Sequence, residues 1–166
     1  MKKVIIIAVL LPLFAFAQKN VSEKIFPEVN GEINYTEVVK VDSTIKKDEL
    51  YVNAKAWFVG TYKSANDVLQ MQDKEAGVLI GKGIFEIPYK LFVGSTRVSV
   101  NHTIKVYVKD GKYKYEITDL EGKQLTTYGW KSFDINKAKN DINKKILSII
   151  SSLKTAMQKP ITSKDF

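Results

Sequence analysis

Hydrophobic and polar residues alternate through much of the chain between residues 33 and 119, which predicts strands with one side turned to water. In a first strand Ile33, Tyr35, Glu37, Val39 and Val41 share one side, while Asn34, Thr36, Val38 and Lys40 take the other. The Asn30-Gly31 pair ahead of it is a tight-turn signal, so the strand is entered through a short hairpin. Residues 68–72 and 78–87 read as a second hairpin, joined by 73–77. Leu79, Gly81, Gly83, Phe85 and Ile87 fall on one side of it, and two glycines on a single face imply a bend, a bulge or the close approach of another element. The stretch "NHTIKVYVKDGKYKYEITD" (101–119) carries its own register. Asp110-Gly111 is a two-residue turn, and counting outward sets Val108 against Tyr113, Val106 against Tyr115, Ile104 against Ile117 and His102 against Asp119. One face of this pair is aliphatic and aromatic; the other carries Lys105 opposite Glu116 and Tyr107 opposite Lys114. Such a pair rests on a core and shows its second face to solvent. "KQLTTYGWKSF" adds a further short strand and a turn.

The period changes in two places. After Ser43 and Thr44, which offer capping oxygens, and with Asp48 and Glu49 in the opening turn, Leu50, Ala54, Trp57 and Phe58 fall on one helical face that runs to about Tyr62. Near the C-terminus Asp134 caps a long helix in which Ile135, Ala138, Ile142, Ile146, Ile149, Leu153 and Met157 step by threes and fours. Leu147 and Ile150 widen that stripe. At ~1.5 Å per residue a helix of about 25 residues reaches across a whole sheet. The elements make an α+β domain with helices covering one face of an antiparallel sheet. Between the strands, "YKLFVGSTR" after Pro88 reads as a loop. Tyr89, Leu91, Phe92 and Val93 make it apolar for a connection, suited to covering one end of the core or lining the mouth of a pocket; it is a candidate contact loop.

Composition changes this picture at the ends and in its chemistry. "MKK", the apolar run "VIIIAVLLPLF" and the small-x-small Ala15-Phe16-Ala17 have the layout of a cleaved signal peptide over residues 1–17. The run is short of the roughly 20 apolar residues of a membrane span, and no cysteine follows it to take a lipid. The expectation is export, to the periplasm or beyond, of a chain with an N-terminal segment at 18–30, one domain at 31–159 and a tail at 160–166. Cysteine is absent altogether, which excludes disulfides, thiol nucleophiles and thiolate metal sites. The net charge is +8, nearly all of it lysine, with Arg97 the only arginine. Base and phosphate recognition favours the guanidinium fork, so nucleic acid is not an expected partner; the charge is first that of a solvated Lys/Asn-rich surface, with attraction to an anionic surface as the alternative.

Candidate chemistry is sparse. His102 and Asp119 form a weak polar pair at a strand end, but a catalytic unit of that kind needs a nucleophile, and no G-x-S-x-G elbow accompanies it. One histidine without cysteine does not make a zinc site. "IGKGIF" lacks both the Walker spacing and a following helix. Glu37, Glu86, Glu116 and Asp119 are the acids a carboxylate-dependent hydrolase would need, provided two of them converge. No catalytic residue, cofactor or metal ligand is assigned.

The order of strand, helix, four or more antiparallel strands and long helix, together with "VVKVD", "DELYVNAKAWF", "VLQMQDKEAGVLIGKG" and "YVKDGKYKYEITD", resembles the Domain of Unknown Function 4468 family of exported bacterial proteins over most of residues 31–120. The resemblance implies a curved antiparallel sheet of five or more strands with both helices on one face, a TATA-binding-protein-like β-α-β4-α arrangement. It brings no catalytic residues, and a fold name does not make a DNA binder. The favoured function is a non-enzymatic exported binding or interaction module of the periplasm or cell envelope. Its partner would be an envelope protein, a glycan or a small molecule, met through the open sheet face or the 89–93 loop. Alternatives are a carrier of an apolar small molecule held between helix and sheet, and the carboxylate hydrolase. No membrane span is expected, and oligomeric state is left open.

Overall fold

The computed structural model describes residues 25–62 and 68–159. The expected signal peptide and the C-terminal tail lie outside the described residues. A small hairpin of β1 (Glu28–Val29) and β2 (Glu32–Ile33) turns at Asn30-Gly31, both in the left-handed region that such a turn requires. Then follow β3 (Tyr35–Lys40), α1 (Lys47–Thr61), β4 (Leu69–Asp73), β5 (Val78–Lys90), β6 (Ser95–Lys109), β7 (Lys112–Thr126) and β8 (Gly129–Phe133). A 3-10 turn (Ile135–Ala138) leads into α2 (Lys139–Met157). The six-stranded antiparallel sheet has the order β3-β7-β6-β5-β4, and β8 joins β7 beyond the end of β3.

Both helices pack on one face. Trp57 Nε1 of α1 donates to Ser152 Oγ of α2 at 3.1 Å, and Tyr35 Oη of β3 donates to Asn143 Oδ1 of α2 at 2.7 Å. Leu50 and Phe58 from α1, Ile104 and Val106 from β6, and Ile142, Ile146 and Leu153 from α2 are wholly buried in one core. The paired glycines of β5 are there for close approach. A Cβ on Gly81 would sit 2.6 Å from Phe58 Cε1, and one on Gly83 2.5 Å from Tyr62 Cε1, so bare backbone admits onto the sheet one ring of α1 and one from the residue that ends it.

Three expectations are corrected. Ser43 and Thr44 do not cap α1: Asp42 Oδ1 takes the Thr44 N–H and hydroxyl, and the helix opens later, where Lys47 N–H donates to Asp110 Oδ1 at 2.8 Å. The cap is thus supplied by the β6–β7 turn, far along the chain. At the second helix Asp134 caps the 3-10 turn through Asn136 N–H; the α-helix itself is 19 residues, shorter than expected, and Leu147 lies half in water off the buried seam. The segment after Pro88 is not a loop, because β5 runs through Pro88 and Tyr89 to Lys90 and only residues 91–94 turn. The pairing of β4 reaches no further than Gly81, so among the described residues no strand lies outside β5 at Pro88 and the missing N–H forfeits no bond to one.

Candidate functional site

His102 comes first because the sequence paired it with Asp119. The register from the Asp110-Gly111 turn holds through Ile104 opposite Ile117 and Thr103 opposite Thr118, then slips: Asn101 faces Glu121. Asp119 and Leu120 stand against His102 alone, a bulge, and Asp119 takes a left-handed backbone (φ 56) that turns it out to solvent. Its carboxylate accepts from Thr118 Oγ1, not from the imidazole. The expected pair is therefore not formed. His102, only 2% exposed, faces the space left by Gly83, and its Nε2 lies 2.9 Å from Tyr62 Oη. Burial raises the Tyr62 phenol and pushes His102 down to about 4, the Val100 carbonyl opposing only in part. At neutral pH Tyr62 accordingly keeps its proton, the imidazole is uncharged, and the two share a hydrogen bond at Nε2. A depression of about 1090 Å³ opens beside this pair, bordered by Tyr62, Phe85, His102, Asp119, Glu121 and Lys145. Neither Asp119 nor Glu121 is hydrogen-bonded to the histidine.

Glu37, Glu86 and Glu116 lie on three different strands. Lys154 Nζ of α2 (2.6 Å) and Tyr115 Oη of the neighbouring β7 (2.8 Å) donate to Glu37, and these bonds lower its pKa. Glu86 pairs with Arg97 at 3.2 Å on β5 and β6, and Glu116 with Lys114 at 2.5 Å on β7. Glu86 and Asp119 border the same depression, but each is bonded to a different neighbour. Between the helices and the sheet, the fully buried side chains belong to one continuous core. Among the described residues no group of three or more His, Cys, Asp or Glu is arranged to hold a metal, and no helix is long and apolar enough to cross a membrane.

The open face of the sheet is shallow and mixed. Val38, Tyr107, Lys114 and Glu116 border a hollow of about 420 Å³, with Lys114 Nζ 5.9 Å from the centre of the Tyr107 ring.

The 89–93 segment divides. Tyr89 stands edge-on to Phe133 with ring centres 4.9 Å apart, so it covers the end of the core. Leu91, Phe92 and Val93 do not; they ride on a four-residue turn closed by Leu91 N–H to the Gly94 carbonyl at 3.1 Å. Phe92 is fully exposed and Val93 is 80% exposed. The β7–β8 turn lies at the same end of the sheet, tied to the start of β6 by Thr96 Oγ1 donating to the Leu125 carbonyl at 2.7 Å. It adds Tyr128, 89% exposed, and the half-exposed Trp130, with Lys131 Nζ 5.7 Å from the centre of the Tyr128 ring. Sequence reasoning missed these. The aromatic-flanked turn "TTYGWK" was visible, but its place beside the other turn depends on the sheet order.

The family model of the domain of unknown function (DUF4468) with TBP-like fold matches residues 35–122, more than half of the chain. The chain belongs to that family. Among solved structures, a DUF4468 family protein from Bacteroides ovatus superposes with a TM-score of 0.66 at 17% identity, covering 84% of this chain and 94% of its own. A TBP-like protein from Parabacteroides distasonis gives 0.64 at 14% identity, covering 81% and 97%. At these identities the likeness shows the fold. No match was found among curated proteins. The matched DUF4468 region takes in α1, His102 and the 91–94 turn, and stops short of Tyr128, Trp130 and α2.

Proposed function

We propose that this DUF4468 protein is a non-enzymatic, exported binding or interaction module of the bacterial periplasm or cell envelope, and that it makes contact through the end of the sheet carrying the β5–β6 and β7–β8 turns. One observation carries the reading. Phe92 and Val93 stand in water on a turn that closes without them, so nothing in the fold requires their apolar side chains. Export is supported by the signal-like residues 1–17. The non-enzymatic reading is supported by the separation of Glu37, Glu86 and Glu116 onto three strands, each with its own cation. Carriage of an apolar molecule between helix and sheet has less support, since that layer is filled by Ile142, Ile146 and Leu153 against the strands.

A photoreactive residue at position 92, compared with one at the exposed Val52 on α1, tests the reading in the protein's own cells. Adducts formed from 92 and not from 52 are expected. Equal labelling from both, or none from 92, counts against a contact at this end. Mass spectrometry of the same protein should find its first residue near Gln18.

A further inference from the structure

We propose that this end of the sheet docks on an anionic lipid surface, with Phe92 and Val93 entering the acyl layer and the surrounding cations meeting headgroups. The inference rests on the reading above that this is the contact end, and adds what it contacts.

Three features converge. The first is presentation: the Leu91-to-Gly94 bond and the left-handed Gly94 (φ 79) hold the turn, and Tyr89 against Phe133 roots it in the core, so the apolar tip is held outward instead of folding back. The second is the graded chemistry. Behind the aliphatic and phenyl tip come Tyr128 and Trp130, whose rings pair an apolar body with a polar edge and suit headgroup depth. The third is charge. Residues 88–97 and 123–132, the two chain segments that build this end, contain Lys90, Arg97, Lys123 and Lys131 and no aspartate or glutamate. Arg97 shares its charge with Glu86; Glu86 and Asp141 border the neighbouring hollow against Lys90, Lys144 and Lys145, and Glu121 and Asp134 border the hollow of Trp130 with Lys123 and Lys131, so the net excess at this end is positive but small.

A lipid surface fits this set better than a protein or a glycan. Phe92, Tyr128 and Trp130 present rings on which a sugar could stack, but Leu91 and Val93 at the tip offer it none and gain by leaving water for an acyl layer. Lysine ammonium groups, hydrated and without a fixed fork, match a fluid layer of phosphates rather than one stereospecific anion. The inserted surface is small, so neither force holds the protein alone; apolar entry and headgroup attraction must act together.

The test is sedimentation of the chain, purified from its own cells, with vesicles of pure phosphatidylcholine or of equal parts phosphatidylcholine and phosphatidylglycerol. Binding to the anionic vesicles is expected at least ~10-fold tighter than to the neutral ones, and weakened by salt. Tryptophan emission should shift to the blue on binding, and this shift should vanish in Trp130→Phe. Phe92→Ser with Val93→Ser should reduce binding at least ~10-fold with an unchanged melting temperature, since both side chains lie in water. Lys90→Gln, Lys123→Gln and Lys131→Gln together should abolish the preference for anionic vesicles. Wild-type protein left in the supernatant with both vesicles, or a serine variant that binds as tightly as wild type, overturns the proposal. If vesicles fail while position 92 labels a protein or a glycan in cells, the lipid inference falls and the contact end stands. If vesicles fail and position 92 labels nothing, both fall.

Discussion

At one end of the sheet the β6–β7 turn is tied down on several sides: Asp110 Oδ1 caps α1, Gly111 N–H donates to the Ile45 carbonyl, and the Gly111 carbonyl accepts from Val41 N–H. At the other end the β5–β6 turn is closed by a single backbone bond within itself, and its apolar residues face water. Both ends are tight antiparallel turns on long strands, yet the residues of the first are accounted for by the fold and those of the second are not. Hydrogen bonds from the first turn satisfy groups that a helix start and a strand end would otherwise leave orphaned. Phe92 and Val93 fill no such role among the described residues. A side chain that the fold does not use, placed where it is disfavoured in water, is the place to look for a partner.

Matched glycines give the largest contrast. Gly77, next to the tied end, has φ +70 and would bring a Cβ within 2.6 Å of the Val108 carbonyl oxygen; Gly94, at the free end, has φ +79 with nothing within 4 Å. Gly77→Ala should therefore lose ~3 kcal/mol or more by urea unfolding, combining left-handed strain with overpacking, while Gly94→Ala loses only ~1 kcal/mol from strain. Similar losses at the two sites would erase the distinction.

His102 lies between the ends and adds a pH-dependent term. Its native pKa is near 4 because of burial, against about 6.5 unfolded, so between these values the unfolded chain binds a proton that the native one does not. Stability should be flat in this term above pH ~6.5, and lost as pH falls through the window to ~4, by about 3 kcal/mol in all. A histidine ring NMR titration with a midpoint near 6.5 in the folded protein would contradict this.

Asp110→Ala removes the distant cap of α1 and should reduce stability by ~1 kcal/mol, read as a shift of the unfolding midpoint. Smallest of all, Phe92→Ser should leave stability within ~0.5 kcal/mol of wild type; a larger loss would mean that the exposed tip serves the fold after all.

Much of the fold was legible. The register of β6 against β7 follows from a two-residue turn, and the pairings of Val108, Val106 and Ile104 hold as counted. The bulge that separates His102 from Asp119 left a trace that the count passed over. Leu120, partly buried, lies three residues after the buried Ile117, which is out of phase for a regular strand and marks an inserted residue. Pro88 and the apolar run after it suggested a loop because sequence does not say that the pairing of β4 with β5 ends at Gly81, beyond which no described strand pairs with the outer edge of β5. Of the candidate contact residues, Leu91, Phe92 and Val93 could be named in advance, but not that Tyr89 would leave them for the core.

What the amino-acid order determined by itself was therefore local: the periods of strands and helices, the turn at Asp110-Gly111 and the two-faced character of β6 and β7. These depend on neighbours a few residues apart, whose spacing the chain carries directly. Tertiary structure alone decided what depends on distant partners. It brought Asp110 to the start of α1, gave His102 to Tyr62, and set the turns bearing Phe92 and Tyr128 side by side. Each of these joins residues tens of positions apart, through a packing that comes into being only when the whole core closes.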